Sequence, residues 1–113
     1  MSQQLEDRFL IFAKQVRDFC ECLNHNVINN QYIGQLIRSS GSIGANYIEA
    51  SDSLGVNDER MKLRISRREA KESVYWLQLL LINNADLEEK KSSLIDEADQ
   101  IKKILSSIIT KIG

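Results

Sequence analysis

Leu94, Ala98, Ile101, Leu105, Ile108 and Ile112 follow one another at alternating spacings of four and three residues. That rhythm keeps apolar side chains on one seam of an α-helix, as in coiled-coil packing. A strand repeats every two residues and would scatter the same set over both faces. An exposed apolar seam needs other helices to cover it, because helix stability in proteins comes mostly from packing. Partners are present in the chain. From about Gln3 to Leu23, the residues Leu5, Phe9, Phe12, Val16, Phe19 and Leu23 recur at the same threes and fours. No proline occurs anywhere, and glycine occurs five times. An all-β chain would need both for its turns.

Two further helices are expected between these. "NHNVINN" (24 to 30) has the composition of a loop. A helix then runs from about Gln31 to Ser53, with Ile33, Leu36, Ile37, Ser40, Ile43, Gly44, Tyr47 and Ile48 as its inner face. Gly55 suits its C-terminal cap. Asn57 suits the N-cap of the next helix, with Asp58 and Glu59 favoured by the dipole of its first turn. That helix runs from Asp58 to about Ile82. Met61, Ile65, Val74, Leu77 and Leu81 mark its inner face, with Trp76 and Leu80 beside them. "NNAD" (83 to 86) is a short break, and the last helix starts near Asp86 or Leu87. Ser93 with Asp96 marks an alternative, later start. The reading is one domain over residues 1–113: an all-α, antiparallel, up-down-up-down four-helix bundle.

Composition narrows the location and the partners. With 113 residues, a chain buries somewhat over about 60% of its unfolded surface, enough for one core without staples. Apolar runs such as Leu79 to Ile82 are far short of the roughly 20 residues that span a bilayer. The N-terminus lacks the basic and apolar regions of a signal peptide. The expectation is a cytoplasmic protein with no membrane association. Charged residues make up 27% and nearly cancel, at net −1. A nucleic-acid role would therefore rest on a local patch rather than on the whole chain.

Such a patch exists. "RMKLRISRREAK" (60 to 71) holds six cations and one acid. Arg60, Arg64, Arg67 and Lys71 step by four, three and four along one helix face, a spacing that could track phosphates. The competing reading is a solvated face, with Arg68 or Lys71 tied to Glu72 or Glu49. No aromatic residue interleaves these cations, so base stacking is not indicated.

A second polar stripe lies on the second helix. Arg38, Ser42, Asn46 and Glu49 share one face, and Glu69 and Glu72 on the third helix are candidate partners. A buried arginine or glutamate must be paired. This set reads either as a solvated face or as a polar network near subunit contacts. Gly34, Gly41 and Gly44 lie on an adjacent stripe. They would either receive a bulky neighbour, such as Phe9 or Trp76, or sit where subunits meet.

"QLIRSSGSIGANYIEA" (35 to 50), "RREAKESVYWLQLLL" (67 to 81) and "LEDRFLIFAKQV" (5 to 16) together resemble a family of small bacterial four-helix bundle proteins. The family includes proteins encoded in intervening sequences of large-subunit ribosomal RNA genes. Other branches of it carry a proline where this chain has Gly44. The resemblance implies an antiparallel four-helix bundle. It also implies self-assembly, since several members are similar in forming ring-shaped homopentamers. An accessory protein of diversity-generating retroelements shares the fold, as a basic ring that binds nucleic acid and a reverse transcriptase. Expected partners are therefore further copies of the chain, RNA or DNA, or another protein.

No catalytic or cofactor set emerges. Cys20 and Cys22 point about 200° apart on a helix, so they neither pair with each other nor converge with His25 on a metal. Glu69 and Glu72 are not accompanied by the Glu-x-x-His motifs of di-metal bundles. "GSIG" lacks the Gly-Lys-Ser/Thr ending of a phosphate loop. The chain is expected not to be an enzyme and to use no cofactor.

Overall fold

The last helix carries the most regular seam, and it is the longest. In the computed structural model, which describes residues 1–112, the chain forms α1 (Gln3–Glu21), α2 (Val27–Ser51), α3 (Val56–Leu79) and α4 (Ala85–Lys111). The 27 residues of α4 span about 40 Å, most of the 46 Å length of the molecule. Each helix packs against the two that flank it, α1 on α2 and α4, and α3 on α2 and α4. Cross-helix contacts fix the directions. Ser2 reaches Tyr47, and Gly44 meets Phe9. Asn29 meets Leu81, Ser39 meets Ser73, and Ile43 meets Ser66. Rising numbers on one helix meet falling numbers on the next, so the bundle is antiparallel.

Caps set the helix starts. The Ser2 hydroxyl accepts from Leu5 N–H at 3.2 Å and Asn84 Oδ1 from Leu87 N–H at 3.1 Å. Asn26 Oδ1 accepts from Asn29 N–H at 2.8 Å. The start of α2 differs from expectation. "NHNVINN" is loop only as far as Asn26, and α2 starts at Val27 rather than near Gln31. Gly55 does not cap α2, which ends on Asp52; it is the N-cap residue of α3, with φ of 158°. Asn57 lies inside the first turn of α3. Asp58 Oδ2 instead accepts from Leu54 N–H, 3.2 Å away.

α1 and α4 bury what their periodicity implies: Phe9, Phe12, Val16, Phe19 and Leu23 from one end of the chain, Leu94, Ala98, Ile101 and Leu105 from the other. Near the end of α4 the buried position moves from Ile108 to Ile109. A straight helix with 3.6 residues per turn drifts from a strict seven-residue repeat. The Tyr47 ring meets Phe9 edge-on at 5.0 Å, and its hydroxyl accepts from Ser2 N–H at 3.0 Å. One buried side chain thus serves both the core and the start of α1.

The inner faces of α2 and α3 differ from expectation. Ile37 and Ile48 are exposed, while Ser39 and Ala50 are buried. On α3 Met61 is exposed, as is Leu81 just beyond its end, and Leu63, Ser66, Ala70, Ser73 and Leu77 form the buried seam. That seam also alternates three and four, but serines and an alanine occupy three of its five positions. Short side chains let two helix backbones approach, and their hydroxyls are satisfied across the gap. Ser66 Oγ donates to the Ile43 carbonyl at 2.7 Å, and the Ser39 and Ser73 hydroxyls meet at 2.9 Å.

The glycines divide. A Cβ on Gly44 would stand 3.4 Å from Phe9 Cβ, in ordinary contact, so α1 passes close to α2 here with room for a methyl group and little more. Gly34 and Gly41 face open space.

Candidate nucleic-acid interface

α3 turns one flank towards α2 and the other towards α4. Its cations separate accordingly. Arg64, Arg67, Arg68 and Lys71 line a groove between α3 and α4, with Lys102 and Ser106 on the far wall. Arg67 is half-buried and donates from Nη1 to Ser106 Oγ at 3.2 Å, which pins its stem across the two helices. Arg64 and Lys71 are exposed and form no ion pair among the described residues. Lys102 stands 3.7 Å from Asp99, and Arg68 stands 3.8 Å from Glu69. Three of the four stripe residues therefore meet in one groove. Arg60 lies one turn before Arg64 and outside the lining. Arg68, in the basic run but off its four-residue stripe, and Lys102 of α4 complete the cationic lining. Lys102 follows the seam residue Ile101 and so borders whichever helix covers it, but which helix that is cannot be read from α4 alone.

The opposite flank of α3 holds the second polar set. Arg38 reaches from α2 to Glu69 (3.3 Å) and Glu72 (3.6 Å). The Glu69 side chain is 6% exposed, against 53% for Arg38. Glu69 Oε2 makes no well-aligned hydrogen bond, so its compensation is chiefly the nearby guanidinium charge. Glu49 pairs with Lys62 at 3.1 Å. Ser42 and Asn46 do not join the bridge. Their side chains donate to the carbonyls of Arg38 and Ser42, one turn back on their own helix. Of the six residues, Arg38, Glu69 and Glu72 come together within the chain, Glu49 takes a different partner, and two bond locally.

Other reactive groups are occupied by structure. Arg8 makes a fork to Glu97 across α1 and α4, with Nε and Nη2 donating at 2.9 and 2.8 Å. Those hydrogen bonds raise the guanidinium pKa above its ordinary value. Cys20 is buried and its thiol is pushed up to about 11 by burial. Cys22 points outward, and the His25 ring lies 2.9 Å from the Cys20 carbonyl. No described helix is long and apolar enough to cross a membrane.

Comparison with known proteins agrees with this architecture. Residues 7–107 match the family described as 23S rRNA-intervening sequence protein. A solved structure from Bacteroides thetaiotaomicron, described as a protein with unknown function from the S23 ribosomal protein family, is 33% identical. It superposes with a TM-score of 0.76, over 92% of this chain and 96% of that one. None of the curated proteins matches. With the family match covering most of its length and four helices in the same arrangement, the chain belongs to the 23S rRNA-intervening sequence protein family.

Proposed function

We propose that this protein is a non-enzymatic, homo-oligomeric helical bundle, a pentamer by its family resemblance, that binds structured RNA or DNA through the basic groove of α3. The observation that carries this reading is the convergence of Arg64, Arg67, Arg68 and Lys71 with Lys102 between two rigid helices. The acids that balance the chain lie largely elsewhere, so a neutral protein still presents a cationic track. Arg60 extends the track by one turn, and a ring would repeat it in every subunit.

The test is binding to a structured RNA fragment at low and moderate salt. Affinity should fall with salt, with a log–log slope of about 0.9 for each phosphate neutralised on a duplex. Reversing Arg64 and Arg67 to glutamate should weaken binding and reduce that slope by about two. Unchanged affinity in the double variant would overturn the reading. Sedimentation at micromolar concentration tests assembly, and a monomeric mass rules out the ring.

A second reading, a protein-interaction scaffold without a nucleic-acid role, is favoured by one feature. Ile37, Gly41 and Ile48 form an exposed row on one face of α2, as a protein partner would need. Capture of partners from a bacterial lysate separates the readings. Partners lost on nuclease treatment favour nucleic acid, and partners retained favour the scaffold.

A further inference from the structure

The basic groove does not end at Lys71. Lys71 and Lys102 also form the near walls of a second depression, whose other lining residues are Val74, Tyr75, Gln78 and Asp99. The two depressions share these lysines and so lie next to each other along α3 and α4, as one channel of two halves with Lys71 and Lys102 at their junction. Tyr75 follows Lys71 by four residues, so it stands about 6 Å further along the helix axis on the same flank. Its side chain is 57% exposed, unusual for an aromatic ring. The ring is steadied from one side, since it meets the Trp76 ring at 5.4 Å and 71°. Trp76 in turn stacks against Tyr32 of α2 at 6.3 Å. Tyr75 is thus the exposed end of a row of three aromatic rings anchored in the bundle.

Chemistry changes along this channel. One end is cationic, formed by Arg64, Arg67, Arg68 and Lys71. The other combines an aromatic face, the apolar Val74, the Gln78 amide and the Asp99 carboxylate. The carboxylate disfavours a phosphate at that end and can accept from an exocyclic amino group. The cationic end suits a sugar-phosphate backbone, and the aromatic end suits a base freed from pairing. Aromatic side chains that stack on unpaired bases are a general means of single-strand recognition.

We infer that Tyr75 is a stacking platform for an unpaired base, so that the ligand is a nucleic acid with a single-stranded loop, bulge or end next to a helical segment. This rests on the nucleic-acid reading above and specifies the ligand class. A uniform duplex would occupy only the cationic half of the channel.

Two fluorescently labelled RNAs test it: a blunt duplex, and the same duplex with a short single-stranded extension. Binding is measured by anisotropy for the full chain and three variants, Tyr75→Ala, Tyr75→Phe and the Arg64→Glu/Arg67→Glu pair. The unaltered protein should prefer the extended RNA. Tyr75→Ala should weaken binding of the extended RNA by about 5- to 100-fold and leave the blunt duplex unchanged, with Tyr75→Phe close to the original. The arginine pair should weaken both. If Tyr75→Ala binds the extended RNA as well as the original while the arginine pair does not, the stacking platform is overturned and the phosphate track stands. If the unaltered protein binds neither RNA, both readings fall. Tyr75 is exposed, so a melting curve superimposable on the original shows that its variants remain folded.

Discussion

The side-chain amide of Asn29 exchanges two hydrogen bonds with the backbone of Leu81. Oδ1 accepts from the Leu81 N–H at 2.9 Å, and Nδ2 donates to the Leu81 carbonyl at 3.0 Å. Nδ2 also donates to the Asn24 carbonyl at 3.0 Å. Asn29 is fully buried, in the first turn of α2, whereas the Leu81 side chain is 56% exposed. One residue therefore ties the α1–α2 loop to the chain just beyond α3. Replacing Asn29 with alanine should cost about 2–4 kcal/mol, because three part-buried backbone groups lose their partner at once. The melting temperature should drop by roughly 10 °C. Leu81→Ala, which keeps the backbone bonds, should stay within about 0.5 kcal/mol. Equal losses from the two variants would contradict the amide exchange as the source of stability.

The cross-helix ion pairs between α2 and α3 should differ in weight. Arg38 faces a buried carboxylate in Glu69, and Lys62 faces an exposed one in Glu49. Arg38→Ala strands Glu69, and the half-exposed arginine brings the expected cost down to about 1–3 kcal/mol. Lys62→Ala should cost under about 1 kcal/mol. Adding Glu69→Gln to the Arg38 variant should recover part of the loss in a urea titration. No recovery would mean that Arg38 acts through its aliphatic stem rather than its charge.

The glycines of α2 should respond oppositely to added volume. Gly41 faces open space, so Gly41→Ala should stabilise the helix by up to about 1 kcal/mol. Gly44→Ala gains the same propensity and places its methyl in ordinary contact with Phe9, 3.4 Å away, so it should also be tolerated. Gly44→Leu should force α1 away and cost about 1–3 kcal/mol, while Gly41→Leu is accommodated. Thermal melts of the four variants provide the comparison, and equal tolerance of leucine at both positions would count against the close approach of α1.

Cys20 should make stability fall in alkali. Its thiol is held protonated up to about 11 by burial, above the ordinary 9.0. Below pH 9 both folded and unfolded chains keep the proton, and the contribution is fully present. Between pH 9 and 11 the unfolded chain releases its proton and the folded chain does not. Stability is then lost at up to about 1.4 kcal/mol per pH unit. Cys20→Ala should flatten that part of the curve relative to the original. In thiol labelling at pH 8, exposed Cys22 should react in the folded protein and Cys20 only after unfolding. Rapid labelling of both would refute the burial of Cys20.

Much of this architecture was legible in the chain. The regular seams of α1 and α4 identified helices and core residues together, because large apolar side chains at threes and fours have few alternatives to burial. α2 and α3 were harder. Ser39, Ser66 and Ser73 are buried, and Ile37, Ile48 and Met61 are exposed, the reverse of their hydropathy. Asn29 sits among asparagines and read as loop, since nothing local reveals that its amide meets Leu81. The stripe Arg60, Arg64, Arg67 and Lys71 was visible because it lies on one helix. The joining of Lys102, and the continuation of the groove to Tyr75, were not.

The sequence by itself determined four helices and the spacing of charge along each, because helical periodicity is a property of consecutive residues, and their antiparallel order, because the breaks between them are short. Tertiary structure decided which flank of α3 faces α4, which carboxylates Arg38 reaches and which serines are buried. Those outcomes depend on groups supplied by a second helix. A serine can be buried only where another backbone accepts its hydroxyl, and a groove takes its charge from two helices whose pairing neither one specifies alone.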